Sequence, residues 1–218
     1  MNNNTKEMLR SKFITFEGTE GVGKTTQIEL LQEYLQSKKI KTLVTREPGG
    51  TKTGERIREI LLDKKSTNLD SHAELLLMFA ARAQHLDEVI YPALQKNIWV
   101  LCDRFTDASY AYQGGGRGVP LSEILKLESV VQGNFQPDLT ILLTCDIKTG
   151  MQRVARRGKK DRFEKERLEF FEQVQDTYLQ RAKDNPLRIR VVNADQAINE
   201  VAIAIQTTVN QRFPELLF

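Results

Sequence analysis

Apolar and polar positions recur along this chain in two periods. Five short apolar runs have the length and β-branched content of buried strands: Phe13-Ile14-Thr15-Phe16, Thr42-Leu43-Val44-Thr45, Ile98-Trp99-Val100-Leu101, Leu139-Thr140-Ile141-Leu142-Leu143, and Arg188 to Val192. Between them lie longer stretches with apolar residues three and four apart. These predict helices over Thr25 to Ser37, where Ile28, Leu31 and Leu35 share a face, and over Glu55 to Leu62, Ser71 to Leu94, Leu121 to Val131, about Glu164 to Ala182, and Ile198 to Val209. Ser71 stands three residues before Glu74, the pattern of a capping box. Glu47-Pro48-Gly49-Gly50-Thr51 breaks the second strand, and Gln113-Gly114-Gly115-Gly116-Arg117-Gly118 reads as a mobile loop.

Strands alternating with helices predict an α/β fold: a three-layer sandwich with a five-stranded parallel sheet and helices on both faces. Ligands of such sheets bind beyond the carboxyl ends of the strands. The 218 residues fit one domain, with no repeat, low-complexity tract or linker, and residues 1–11 read as flexible.

Composition changes this picture little. The chain is 40% hydrophobic and 28% charged, and its net charge of +3 is too small for a nucleic-acid platform. No nucleic-acid partner is expected. The polar start lacks a secretory signal, and the longest apolar run, Leu75 to Ala81, is too short to span a bilayer. No membrane partner is expected, and the location expected is cytoplasmic. Cys102 and Cys145 end strand-like runs and read as reduced, packed thiols. Arg153, Arg156, Arg157, Lys159, Lys160 and Arg162 form a basic cluster, either a local anion site or a solvated helix end.

The sharpest chemistry lies after the first strand. Gly18-Thr19-Glu20-Gly21-Val22-Gly23-Lys24-Thr25 completes the spacing G-x-x-x-x-G-K-T, between a predicted strand and a predicted helix. Glycines let successive N–H groups turn inward onto phosphate oxygens, and the helix adds its positive end. Lys24 supplies a mobile charge for the β- and γ-phosphates, the Thr25 hydroxyl suits Mg²⁺, and Thr26 follows at the helix start. The N-K-x-D and D-x-x-G patterns of a GTP switch do not occur, so a small-molecule kinase is favoured. The third strand ends Cys102-Asp103-Arg104-Phe105. There Asp103 is placed to hold Mg²⁺-bound water or orient an acceptor, and Arg104 to clamp an acceptor phosphate.

Several blocks then occur in order: Phe16-Glu17-Gly18, Thr45-Arg46-Glu47-Pro48-Gly49-Gly50-Thr51, Arg82-Ala83-Gln84-His85, Asp103-Arg104-Phe105, and Tyr112 to Gly118. Together they resemble bacterial thymidylate kinases over nearly the whole chain, from about Lys12 to the last helix. The resemblance implies phosphoryl transfer from MgATP to dTMP, giving ADP and dTDP, on a nucleoside-monophosphate-kinase core. It also implies a homodimer packed through helices. The apolar face of the Ser71–Leu94 helix is the candidate interface, with an internal core helix as the alternative.

Carried over by position, the resemblance gives Arg104 the dTMP phosphate and Asp103 the neighbourhood of the transferred phosphoryl and Mg²⁺. Arg82 reaches the thymine edge, and Ser109 makes a small polar contact to the base. Tyr112 crowds the sugar's 2′ position, with Gln113 beside it. Glu47 and Pro48 line the acceptor pocket, and Arg46 and Arg58 are further phosphate candidates. The family usually stacks a phenylalanine on thymine four residues before the arginine matching Arg82. Here that position is Met78, and Phe79 follows. Both fall on one helix side, and Phe79 is slightly favoured for the stacking role.

Some family members carry an arginine in the phosphate loop, where this chain has Glu20. The missing cation points to the lid, about residues 153–164. Arg157 is the first candidate for the catalytic cation and Arg153 the second. Asp161 and Glu164 would organise the lid, and Phe163 would cover the nucleotide. The alternatives are a kinase for UMP or dUMP and, further off, a regulatory ATPase.

Overall fold

The structure is a computed structural model that describes residues 11–63, 69–157 and 162–217, without the side chains of Arg157 and Lys165. The expected flexible start, apart from Ser11, and the lid residues 158–161 lie outside the described residues.

Five parallel strands form one sheet in the order β2-β3-β1-β4-β5. They are β1 (Phe13–Glu17), β2 (Thr42–Arg46), β3 (Trp99–Asp103), β4 (Leu139–Thr144) and β5 (Ile189–Asn193). β1 is buried at every position because it has a strand on each side and a layer on each face. β2 is an edge strand, and none of its positions is fully buried. The register sets Phe16 beside Asp103, Arg46 beside Asp103 and Glu17 beside Leu142, so the charged strand ends share one rim.

Alternate strand residues feed opposite cores. Ile14, Phe16, Leu101 and Ile141 pack with Ile28, Leu31 and Leu35 of α1 (Lys24–Ser37) and with Val201, Ile205 and Val209 of α9 (Ile198–Arg212). On the other face Phe13, Val100 and Cys102 meet Leu86 and Ile90, while Leu142 meets Phe171, Val174 and Tyr178 of α8 (Leu168–Asp184). Both cysteines are free and buried, as expected. No helix among the described residues is long and apolar enough to cross a membrane.

α2 covers Lys52–Leu62. The predicted 71–94 helix is present, with a defect. It runs as α3 (Ser71–His85), a π-turn over Leu86–Ile90, and α4 (Tyr91–Gln95). Pro92 lacks the N–H that would bond to Glu88, and its ring crowds that carbonyl, so a widened turn fits there. The capping box is corrected: the cap is Asp70, whose carboxylate accepts from the N–H groups of His72 and Ala73 at 2.9 and 3.2 Å. Glu74 is turned inward and fully buried.

The predicted mobile loop is also corrected. After α5 (Thr106–Ser109), Tyr110–Gly116 forms a π-helical segment packed on α8, with Tyr112, Gln113 and Gly114 buried. The glycines serve close approach. A Cβ at Gly115 would sit 2.1 Å from Thr177 Oγ1, and one at Gly116 would sit 2.4 Å from the Phe170 ring.

α6 covers Leu121–Gln132. The basic segment begins inside a helix, α7 (Ile147–Arg157). α8 then starts later than predicted, at Leu168, after a 3₁₀ turn over Phe163–Lys165.

Candidate active site

The rim of the sheet opens into a cleft of about 400 Å³. Its floor is the loop between β1 and α1. Gly18, Gly21 and Gly23 have φ of 130°, 78° and 92°, which side chains rarely adopt. A Cβ on Gly18 would lie 2.2 Å from the Leu143 carbonyl oxygen, and one on Gly21 would lie 2.2 Å from that of Gly150. The loop is therefore wedged between β4 and α7. Val22 anchors it by packing into the core, so that side chain faces away from the cleft. Thr19 is likewise buried below the cleft, and Glu20, Gly21, Gly23, Lys24, Thr25 and Thr26 line it.

α1 begins on Gly23 without a side-chain cap and without an acid in its first turn, so its leading N–H groups stay available to an anion. Lys24 spans the loop, its ammonium donating to the carbonyls of Gly18 and Thr19 at 3.2 and 3.0 Å. Burial, helped by the Arg104 guanidinium, lowers the Lys24 pKa to about 8.

This has a measurable consequence. On the expectation that Lys24 meets the β- and γ-phosphates, a bound triphosphate would favour charged Lys24, and the complex would hold a proton that the free protein releases above about pH 8. Affinity for ATP therefore falls as pH rises from about 8 toward the ordinary lysine pKa of 10.5. The Kd for ATP should rise at least ~10-fold between about pH 7 and 9.5. Calorimetry in buffers of different ionisation enthalpy should show proton uptake over that window. A flat Kd would contradict the assignment.

Across the cleft, Asp103 and Arg104 end β3. Arg104 is left-handed at φ 71°, an uncommon conformation for a side-chain residue. Its turn is held from beneath by Glu17, which accepts from the Phe105 N–H at 2.7 Å and from the Tyr178 hydroxyl at 2.6 Å. Burial, with the Asp107 charge nearby, pushes the Glu17 carboxyl up to about 8. Arg104 donates to the Gly18 carbonyl at 2.7 Å, to Tyr178 Oη at 3.2 Å and to Glu20 at 2.9 Å, and lies 4.7 Å from the centre of the Tyr112 ring. Tyr112 Oη contacts both Glu20 oxygens at 2.8 Å. Glu20 thus sits on the arginine expected to take the acceptor phosphate.

The far wall is a buried charged network. Arg82 Nε donates to Glu47 Oε2 at 2.8 Å, and Nη2 donates to the Phe105 carbonyl and to Ser109 Oγ at 3.1 Å each. His85 Nδ1 lies 3.0 Å from Glu47 Oε1. Arg82 Nη1 is buried, and no described residue partners it. Arg82 also lines the cleft, so this donor belongs to its wall.

The structure brings Glu47, Pro48, Arg58, Met78, Arg82, Ser109, Tyr112, Gln113, Phe163 and Glu164 together in the lining of the cleft. Phe79 and Met78, the two candidates for the stacking role, face different ways. Phe79 is 2% exposed and packs with Leu75, Tyr110, Val119 and Ile124, whereas Met78 lines the cleft. Arg46 and Arg58 also separate. Arg58 lines the cleft and donates to the Pro48 carbonyl at 2.9 Å, while exposed Arg46 pairs with Glu55 at 2.9 Å. Arg153 reaches the cleft, 3.4 Å from the Gly21 carbonyl. The Arg157 side chain and Asp161 lie outside the described residues.

Asp103 Oδ1 is buried without a partner among the described residues and lies in the same cleft as Thr25. A hard oxygen pair of this kind suits Mg²⁺, which takes one or two carboxylates beside substrate phosphates. Glu17, Tyr178 and Glu74 were not singled out as site residues from the sequence. Only Glu17 carried a signal, as an acid at the end of an otherwise apolar strand.

A family model described as thymidylate kinase matches residues 16–205. The chain is 51% identical over 201 residues to the thymidylate kinase of Nitrosospira multiformis, covering 92% of this chain and 98% of that protein. It is 52% identical over 199 residues to the thymidylate kinase of Pseudomonas savastanoi, covering 91% of this chain and 95% of that one. The crystal structure of thymidylate kinase from Ehrlichia chaffeensis superposes with a TM-score of 0.76 at 36% identity, covering 91% of this chain and 98% of that chain. With a glycine-rich loop and a buried charged network lining one cleft, and with likeness of this extent, the chain belongs to the thymidylate kinase family.

Proposed function

We propose that this protein transfers the γ-phosphoryl of MgATP to dTMP. The observation that carries the reading is one cleft lined by the phosphate loop, by Asp103 and Arg104, and by Arg82, whose Nη1 has no partner among the described residues. A phosphate oxygen of dTMP forms the new bond to the γ-phosphorus, and the bond from that phosphorus to the oxygen of ADP breaks. The electron pair leaves on ADP. The acceptor oxygen is already ionised, so positioning and charge neutralisation supply the catalysis and no general base is required.

Lys24 and the N–H groups of the loop and α1 hold the β- and γ-phosphates. Arg104 binds the acceptor phosphate after exchanging Glu20 for it. Mg²⁺, held through Asp103 and Thr25, would supply charge neutralisation between the phosphates. Arg153 brings positive charge to the γ-phosphate, with Arg157 one turn further along α7 as the further cation. Arg82 Nη1 donates to the base, Ser109 fixes that guanidinium, and Met78 packs against the ring. Tyr112, wedged against Phe163 at 5.8 Å between ring centres, closes the sugar side. For the homodimer, α3 turns Leu76, Ala80 and Ala83 outward, and α6 adds Leu125. These side chains form the proposed interface.

A coupled ADP-release assay across nucleoside monophosphates tests the reading. dTMP should be preferred over UMP by at least ~100-fold in kcat/KM. Preference for a ribonucleotide, or ATP turnover that ignores the monophosphate, would sink it.

A further inference from the structure

Glu74 is fully buried on α3, where an acid is costly unless it is paired. Among the described residues, three side chains from distant segments converge on it. Gln113 Nε2 donates to Oε1 at 2.8 Å, Arg162 Nη2 donates to Oε2, and Arg117 Nε lies 3.4 Å from Oε2. Each arginine has a further contact: Arg162 Nε donates to the Leu61 carbonyl at 2.8 Å, and Arg117 Nη2 forms an ion pair with Glu166 at 2.7 Å. The carboxylate is held from two sides.

A carboxylate accepts hydrogen bonds and offers none. The amide nitrogen of Gln113 must therefore face Glu74, and its carbonyl Oε1 is left for the cleft that Gln113 lines. Glu74, Met78 and Arg82 are spaced four apart and share one stripe of α3. The stripe ends at Arg82 Nη1, the unpartnered donor.

We propose that Glu74 is a positioning residue for base selection, holding the Gln113 carbonyl toward the cleft beside the Arg82 donor. This rests on the function proposed above. A donor next to an acceptor complements the C4 carbonyl and N3–H of a pyrimidine-2,4-dione. A 4-aminopyrimidine presents an acceptor at N3 and a donor at C4, so both positions clash. Discrimination by unpaired buried groups is strong.

The test is Glu74→Gln, assayed with dTMP and dCMP. The new amide can donate as well as accept, so it no longer dictates the orientation of Gln113. The dTMP-to-dCMP ratio of kcat/KM should fall at least ~10-fold, through a higher KM for dTMP, with KM for ATP unchanged. A purely structural role would scale both substrates together and leave the ratio where it was. An unchanged ratio in a folded variant overturns the proposal. If Glu74→Gln fails to fold by circular dichroism, Gln113→Met decides, since losing the acceptor should lower the same ratio and an unchanged ratio overturns the proposal. A wild-type protein that does not prefer dTMP over dCMP would instead refute the function itself.

Discussion

Arg104→Ala lowers kcat/KM for dTMP about 1,000-fold, ~4 kcal/mol of transition-state stabilisation. The reason is geometric. Arg104 is the cation at the end of β3 that sits between the phosphate loop and the acceptor wall, held by the Gly18 carbonyl and Tyr178. Its left-handed backbone is fixed through Glu17 and the Phe105 N–H. Truncating one member of a partly buried charge pair costs ~2–5 kcal/mol or more. KM for ATP at saturating dTMP should change less than ~3-fold, because Lys24 and the loop amides keep their geometry. Steady-state kinetics with each substrate varied in turn checks this. A loss below about tenfold, or an equal loss for ATP, would remove Arg104 from the acceptor site.

The second large effect is on stability. Arg82→Leu should cost about 3–5 kcal/mol, because it strands Glu47 as a buried charge. Arg82 and Glu47 side chains are 2% and 4% exposed and 2.8 Å apart. The guanidinium also lies 4.6 Å from the Phe79 ring centre and 5.2 Å from that of Phe105, so packing is lost with the charge. His85 Nδ1, at 3.0 Å, is the partner that Glu47 keeps. For a chain of this size the melting temperature should fall by roughly 6–20 °C. The double variant Arg82→Leu with Glu47→Leu should recover part of the loss, since no orphan charge remains. Chemical denaturation of the three variants measures both terms. A single-variant loss under about 1 kcal/mol would mean that water reaches Glu47 and that the wall is not dry.

The phosphate loop was legible because its chemistry is local. Glycine spacing fixes the turn, and the strand before and the helix after follow from residues within a few positions of it. The five strands and the main helices were legible for the same reason, since periods of two and of three to four need no knowledge of partners. Family blocks then pointed to Asp103, Arg104, Arg82 and Tyr112, and all four reach one cleft.

Where reading from the sequence failed, a distant partner decided. Met78 and Phe79 sit on one side of α3, and pattern alone cannot say which faces the cleft. Packing against Tyr110, Val119 and Ile124 draws Phe79 inward. The glycines after Gln113 look mobile in isolation, yet α8 lies so close that no side chain fits there. Glu74 reads as a cap in sequence. Its observed partners, Gln113, Arg117 and Arg162, lie far along the chain, and only the fold supplies them. By itself, then, the sequence determined the main elements of this protein, its glycine-rich loop and most of the residues that line its cleft. The tertiary structure decided which side chains face the cleft and how their hydrogen bonds point. Burial and pairing depend on neighbours that sequence spacing does not encode.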